Sequence, residues 1–325
     1  MSIDVSWFDV TQFDWKADTT DNGAIPQSAA NEWKPLAQEY QKVRFAERQN
    51  RVEHRGNLQT LSIDKRTKKW LEIQFDYIAE KYDANSPAYG WWDLINQAFY
   101  GGATGAPATR PGTAWLAAKI NRATPEYWLA FGAKIESVVI KGSMTEGVMT
   151  ISINAIARGH QFNTTNYVQG TATRRTALTK NPIIPSNDVT ITVNAVDVTS
   201  VVQEFTLTLT RKYEKRGRSA TAAASGTQVA TDGFNFREFV PSNFDGRLEL
   251  TLDPYGTTTS QLIDYLADTA LGTVSISAEN VTNGKTISFT ASKPKGADQD
   301  HAEGVAPSSL SLVIDGSTFD VSTNV

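Results

Sequence analysis

The sequence predicts a mainly β protein, a β-sandwich or barrel-forming fold with two short α-helices and long loops. Apolar and polar residues alternate with period two along many short runs, as strands with one buried and one wet face require. Turn-forming residues separate those runs. Hydrophobic residues make up 40% and charged residues 20% of the 325 positions, which is the composition of a globular chain.

The first 36 residues read as an extended N-terminal arm. Trp7, Phe8, Phe13 and Trp15 either form a first strand packed on the chain's own core or dock on a neighbouring copy, since aromatics suit interfaces. Residues 37–325 read as one β-sandwich domain. Its first feature is charged: Lys42, Arg44, Arg48, Arg51 and Arg55, then the run Lys65 to Lys69 including Arg66. A solvated hairpin tip is the simpler interpretation; the alternative is complementary contact with an acidic neighbour, which makes Arg48, Arg51, Arg55, Lys65 and Arg66 inter-subunit candidates together with Trp7, Phe8 and Trp15.

The next run is a strand in which Leu71, Ile73, Phe75 and Tyr77 alternate with Glu72, Gln74 and Asp76. A helix should follow, capped by Ser86 with Pro87 in its first turn, carrying Trp91, Trp92, Leu94, Ile95, Ala98 and Phe99 at helical spacing and ending at Gly101. Residues 135–141 and 148–156 form a hairpin about Thr145, Glu146 and Gly147, with Thr150, Ser152 and Asn154 on the polar side. Phe205, Leu207 and Leu209 then alternate with threonines, including Thr206 and Thr208.

The C-terminal third continues with strands at Leu248 to Leu252, Val274 and Ile276, Ile287 and Phe289, and Leu310 to Ile314. A second helix runs from Ser260 to Gly272, and Asn283-Gly284 marks a hairpin. Strand, helix and further strands thus occur around residues 60–160 and again around 245–325, the pattern of two tandem units. Residues 18–30, 101–113, 159–186 and 215–233 read as long connections, a length usually associated with function or partners.

The composition also restricts the chemistry. The formal charge of -4 opposes a tight grip on nucleic acid through many cations. With no Cys there is neither a disulfide nor a thiolate site. No apolar run approaches the ~20 residues of a membrane-spanning helix, and the acidic, polar start lacks the pattern of a secretion signal, so a soluble chain made in the cytoplasm is expected. His54, His160 and His301 fit no zinc or hydrolase spacing, and no phosphate-binding glycine loop occurs. Asp298, Asp300, His301 and Glu303 cluster without calcium-loop spacing and read as a polar loop. No catalytic group, metal or cofactor is expected.

The hairpin of residues 134–141 and 149–158, with sequences Lys-Ile-Glu-Ser-Val-Val-Ile-Lys and Met-Thr-Ile-Ser-Ile-Asn-Ala-Ile-Ala-Arg, resembles the central hairpin of major tail tube proteins of long-tailed phages. Residues 202–211 resemble the strand that follows it. The closing order, a strand at 246–252, a helix at 261–268 and a β-hairpin, is similar too. The resemblance implies a virion protein with no catalysis: hexameric rings stack into a hollow tube that meets other tail proteins and conducts double-stranded DNA during ejection. It places Glu72, Gln74, Asp76, Thr150, Ser152, Asn154, Thr206 and Thr208 on the lumen wall, where Lys134, Lys141 and Arg158 would interrupt an anionic surface. The competing interpretations are a β-sandwich binding module, such as an adhesin or carbohydrate-binding domain, and a distal or baseplate tail protein of related fold.

Overall fold

A computed structural model describes residues 10–18, 34–35, 40–52, 65–79, 94–100, 112–120, 126–143, 147–163, 188–193, 196–216, 238–253, 273–278, 285–291, 297–299 and 310–323. In chain order the strands are β1 (Val10–Asp18), β2 (Lys34–Pro35), β3 (Tyr40–Val52), β4 (Lys65–Ile78), β5 (Thr113–Ile120), β6 (Glu126–Ser143), β7 (Met149–Ala157) and β8 (Gly159–Asn163). There follow β9 (Val189–Val193), β10 (Val196–Asp197), β11 (Val202–Arg216), β12 (Glu238–Leu252), β13 (Thr273–Ala278), β14 (Lys285–Ala291), β15 (Ala297–Gln299) and β16 (Leu310–Thr323). All sixteen belong to one hydrogen-bonded antiparallel network. The mainly β expectation holds in that form.

Two long strands let this network turn a corner. The first half of β6 pairs with β5 and β8, and its second half pairs with β7 and β11. The crossing falls at Gly132, whose φ of 60° is left-handed, and Arg158 sits over it between β7 and β8. A glycine is required there because a Cβ would both strain the backbone and stand 2.3 Å from Arg158 Nε. Likewise β16 pairs first with β12 and β15 and then with β14.

The alternation read from the sequence becomes a two-faced sheet in β4, β7, β6, β11 and β12. On the inner face, Phe75, Ile153, Val138 and Leu209 share one rung; Tyr77, Ile151, Ile140, Leu207 and Leu248 share the next. All are buried. In the third rung Gly142 lies opposite Phe205, and its missing Cβ leaves room for the ring: a Cβ would meet Phe205 Cε1 at 2.2 Å.

The corner folds other elements over this inner face. Phe13 of β1 meets Phe75 with ring centroids 5.0 Å apart, and Trp15, Leu116 and Trp128 join the same cluster. Val189, Ile191 and Val193 of β9 and Ile276 of β13 are also members, so one core spans both sequence units suggested by the strand-helix pattern. Trp15 is 2% exposed. It belongs to the chain's own core, as a first strand would place it, and residues 10–18 are not a free arm; Trp7 and Phe8 lie outside the described residues.

Several expectations need correction. Of the first helix, residues 94–95 are α-helical and Asn96–Tyr100 forms a π-helical turn. Leu94, Ile95, Ala98 and Phe99 are buried, as the apolar stripe predicts. Residues 86–93 and the second helix at 260–272 lie outside the described residues. The basic run Lys65 to Lys69 begins β4 at the end of the β3 and β4 ladder, with Lys65 opposite Val52 and Arg66 opposite Arg51. The loop expected from 159 begins instead with β8, whose pairing with β6 overrides its polar sequence. Residues 215–216 likewise still belong to β11.

Both expected hairpins pair. Gly147, with φ 74°, donates its N–H to Ser143 O at 2.9 Å between β6 and β7. Described pairing of β13 with β14 runs from Thr273 opposite Thr290 to Ala278 opposite Lys285, and Asn283-Gly284 lies outside the described residues.

Candidate functional site

The expected lumen residues converge on the outer face of the sheet. Three rungs cross it. Gln74, Asn154, Ser137, Thr210 and Asp245 form one; Asp76, Ser152, Val139, Thr208 and Arg247 form the next; Ile78, Thr150, Lys141, Thr206 and Glu249 form the third. Each of these side chains is half-buried or exposed. All eight expected lumen residues therefore share one face, with Glu72 at its border.

Hydroxyls and amides dominate the middle of this face. Asn154 Nδ2 donates to Ser137 Oγ across strands at 2.8 Å, a fixed neutral contact of the kind that orders a polar sheet surface. Arg247 and Glu249 form an exposed ion pair at 2.8 Å on one strand. Of the three cations expected to interrupt the face, Lys141 is exposed there, whereas Lys134 and Arg158 are buried. Lys134 lies on the rung of Ile156 and Glu72, and Arg158 lies between β7 and β8 against the Gly132 crossing.

A satellite cluster covers one end of the face. Ile156, Tyr213 and Phe239 are buried together, with Trp70 packed against them. Lys215 Nζ lies 4.8 Å from the centre of the Trp70 ring, and Trp70 Nε1 donates to Glu72 Oε1 at 3.2 Å. Burial pushes the Glu136 carboxyl above its ordinary value; Lys215 opposes that shift and Glu72 adds to it. Burial also pushes the Tyr213 phenol well up, with Arg211 opposing.

Sequence patterning misses this cluster because two irregularities change the strand phase. A register shift between Ile135 and Ser137 sets Glu136 and Ser137 out of simple alternation, and a second falls between Arg211 and Tyr213. Thr210 was within reach of the sequence, since it continues the Thr206 and Thr208 series.

The described basic candidates lie in one ladder, apart from these rungs. Arg48 lies opposite Trp70, Arg51 opposite Arg66 and Val52 opposite Lys65 in the β3 and β4 ladder; Arg55 lies outside the described residues. Asp298 is in β15, while Asp300, His301 and Glu303 are outside the described residues. Among the described residues no three His, Asp or Glu side chains gather as a metal site, and no helix is long and apolar enough to cross a membrane.

One edge of the network is blunted. Two-residue β10 covers Val193 and Thr192 of β9, and the 3-10 turn Thr199–Val201 with its preceding residue covers Ile191. Val198 N–H donates to Ile191 O at 2.9 Å, and Ile191 N–H donates to Thr199 Oγ1 at 2.9 Å. These contacts occupy groups that a free edge would offer to another strand.

No protein-family model matches the chain, and no curated protein matches it significantly.

Proposed function

We propose that the chain is a structural subunit of a viral tail tube, with six copies forming a ring and stacked rings enclosing a polar channel for double-stranded DNA. The observation carrying this reading is the continuous outer face of β4, β7, β6, β11 and β12, rich in hydroxyls and amides along its middle strands β7, β6 and β11 and backed by the core. The likeness of β6, β7 and β11 to the central strands of long-tailed phage tube proteins supplies the family context.

The chemistry suits transit better than capture. A wall of Thr, Ser, Asn and Gln offers short-lived hydrogen bonds, while rows of Lys and Arg would hold phosphates through counterion release. In this reading the sheet joins its neighbours edge to edge, which closes the barrel and removes free strand edges. Phe13 and Trp15, consumed by the core, leave ring contacts to other surfaces.

Electron microscopy of the purified chain provides the test. Rings or tubes with a central hole are expected, and Glu72→Lys with Asp76→Lys should leave them intact while slowing DNA release. Monodisperse monomers over a wide concentration range, together with affinity for a glycan, would overturn the proposal in favour of a binding module.

A further inference from the structure

We infer that the outer end of the β11 and β12 hairpin, residues 213–216 with 238–241, is a strap that opens separately from the rest of the sheet, beyond the anchor that Phe244 makes on Phe99 of the main core, and uncovers an apolar floor of Trp70 and Ile156. The inference does not depend on the tube reading.

The ladder shows where the strap begins. Between Glu204 and Thr210, β11 is held on both sides, by β6 and by β12. Past Thr210 the pairing with β6 stops. From Tyr213 onward, among the described residues, the strand pairs only with β12, Tyr213 with Pro241, Glu214 with Val240, Lys215 with Phe239 and Arg216 with Glu238, beyond a register shift. A two-stranded ribbon alone is marginally stable in water.

What holds the strap down is small and separate. Tyr213 and Phe239 pack on Ile156 and Trp70 in a cluster distinct from the main core, and Lys215 lies over the Trp70 ring. Against this stand two unfavourable features of the closed state. The buried Tyr213 hydroxyl has no hydrogen-bond partner among the described residues, and the Glu136 carboxylate is partly desolvated there beside Glu72. Both groups regain water when the strap lifts. Few apolar contacts and a ladder shared with only one neighbour are the conditions for local opening below the global unfolding free energy.

Opening would change the character of the outer face. Ile156 is 1% exposed when covered, on a strand whose other outer positions, Thr150, Ser152 and Asn154, are polar. The strap thus keeps a mostly polar face free of its one large apolar patch and can expose that patch without disturbing the core.

Hydrogen exchange on the unmodified chain, read by mass spectrometry, tests this directly. Amides of residues 213–216 are expected to exchange at least about tenfold faster than those of 205–210 in the same strand. Trp70→Ala should accelerate the first group and leave the second unchanged. A chemical readout uses the absence of cysteine: Ile156→Cys should react with a thiol reagent well before Ile153→Cys, whose site lies in the main core. Equal exchange in both segments of β11, or equal acceleration of both by Trp70→Ala, overturns the inference.

Discussion

Replacing Gly132 with alanine measures the corner on which the architecture turns. Two costs combine. At φ 60° an L side chain is strained by about 1–2 kcal/mol. The new methyl would also stand 2.3 Å from Arg158 Nε and 3.1 Å from Cζ and Nη2. Arg158 is 8% exposed, so its displacement resembles overpacking, about 1–3 kcal/mol. The sum is about 2–5 kcal/mol.

Gly147 provides the internal control. Its φ is 74° but nothing lies within 4 Å of the position a Cβ would take, so Gly147→Ala should show the backbone cost alone, about 1–2 kcal/mol. Urea unfolding followed by far-ultraviolet circular dichroism gives both values. Adding Arg158→Ala to Gly132→Ala should lower the apparent penalty of the glycine change toward the control while leaving its backbone part. Equal penalties for Gly132→Ala and Gly147→Ala would refute the close approach of Arg158 to the corner.

Gly142→Ala should cost about 1–3 kcal/mol in the same assay, because the methyl meets the Phe205 ring at 2.2 Å, and Phe205→Leu should offset part of it. Thr199→Val removes the acceptor for Ile191 N–H and should destabilise by about 1–3 kcal/mol, with light scattering rising as the β9 edge opens. Glu136 sets a pH dependence. Its carboxyl titrates above 4.5 in the folded chain, with desolvation dominant and Lys215, Glu72 and Tyr213 facing it, so its stabilising contribution is complete below the unfolded pKa and fades as pH rises through the folded one. Glu136→Gln should therefore gain stability relative to the parent as pH rises above 4.5, and a pH-independent difference would contradict that assignment.

The sequence by itself determined which strand positions are wet and which are buried. In β4, β7 and residues 205–210 of β11 successive side chains alternate faces, so Phe75, Ile153 and Leu207 had to lie on the face opposite Gln74, Asn154 and Thr208 once these segments were extended. Turn residues and the missing cysteines were equally local facts. Tertiary structure alone decided which strands are neighbours, because antiparallel pairing joins segments far apart in the chain: β6 adjoins both β7 and β11, while β4 reaches β7 across the intervening β5 and β6. It also drew Trp15 into the core, wound Asn96–Tyr100 as a π-helical turn and shifted the strand phase at Glu136 and Arg211. At those places packing against distant residues outweighed local propensity, and the satellite cluster of Trp70, Ile156, Tyr213 and Phe239 exists only because of it.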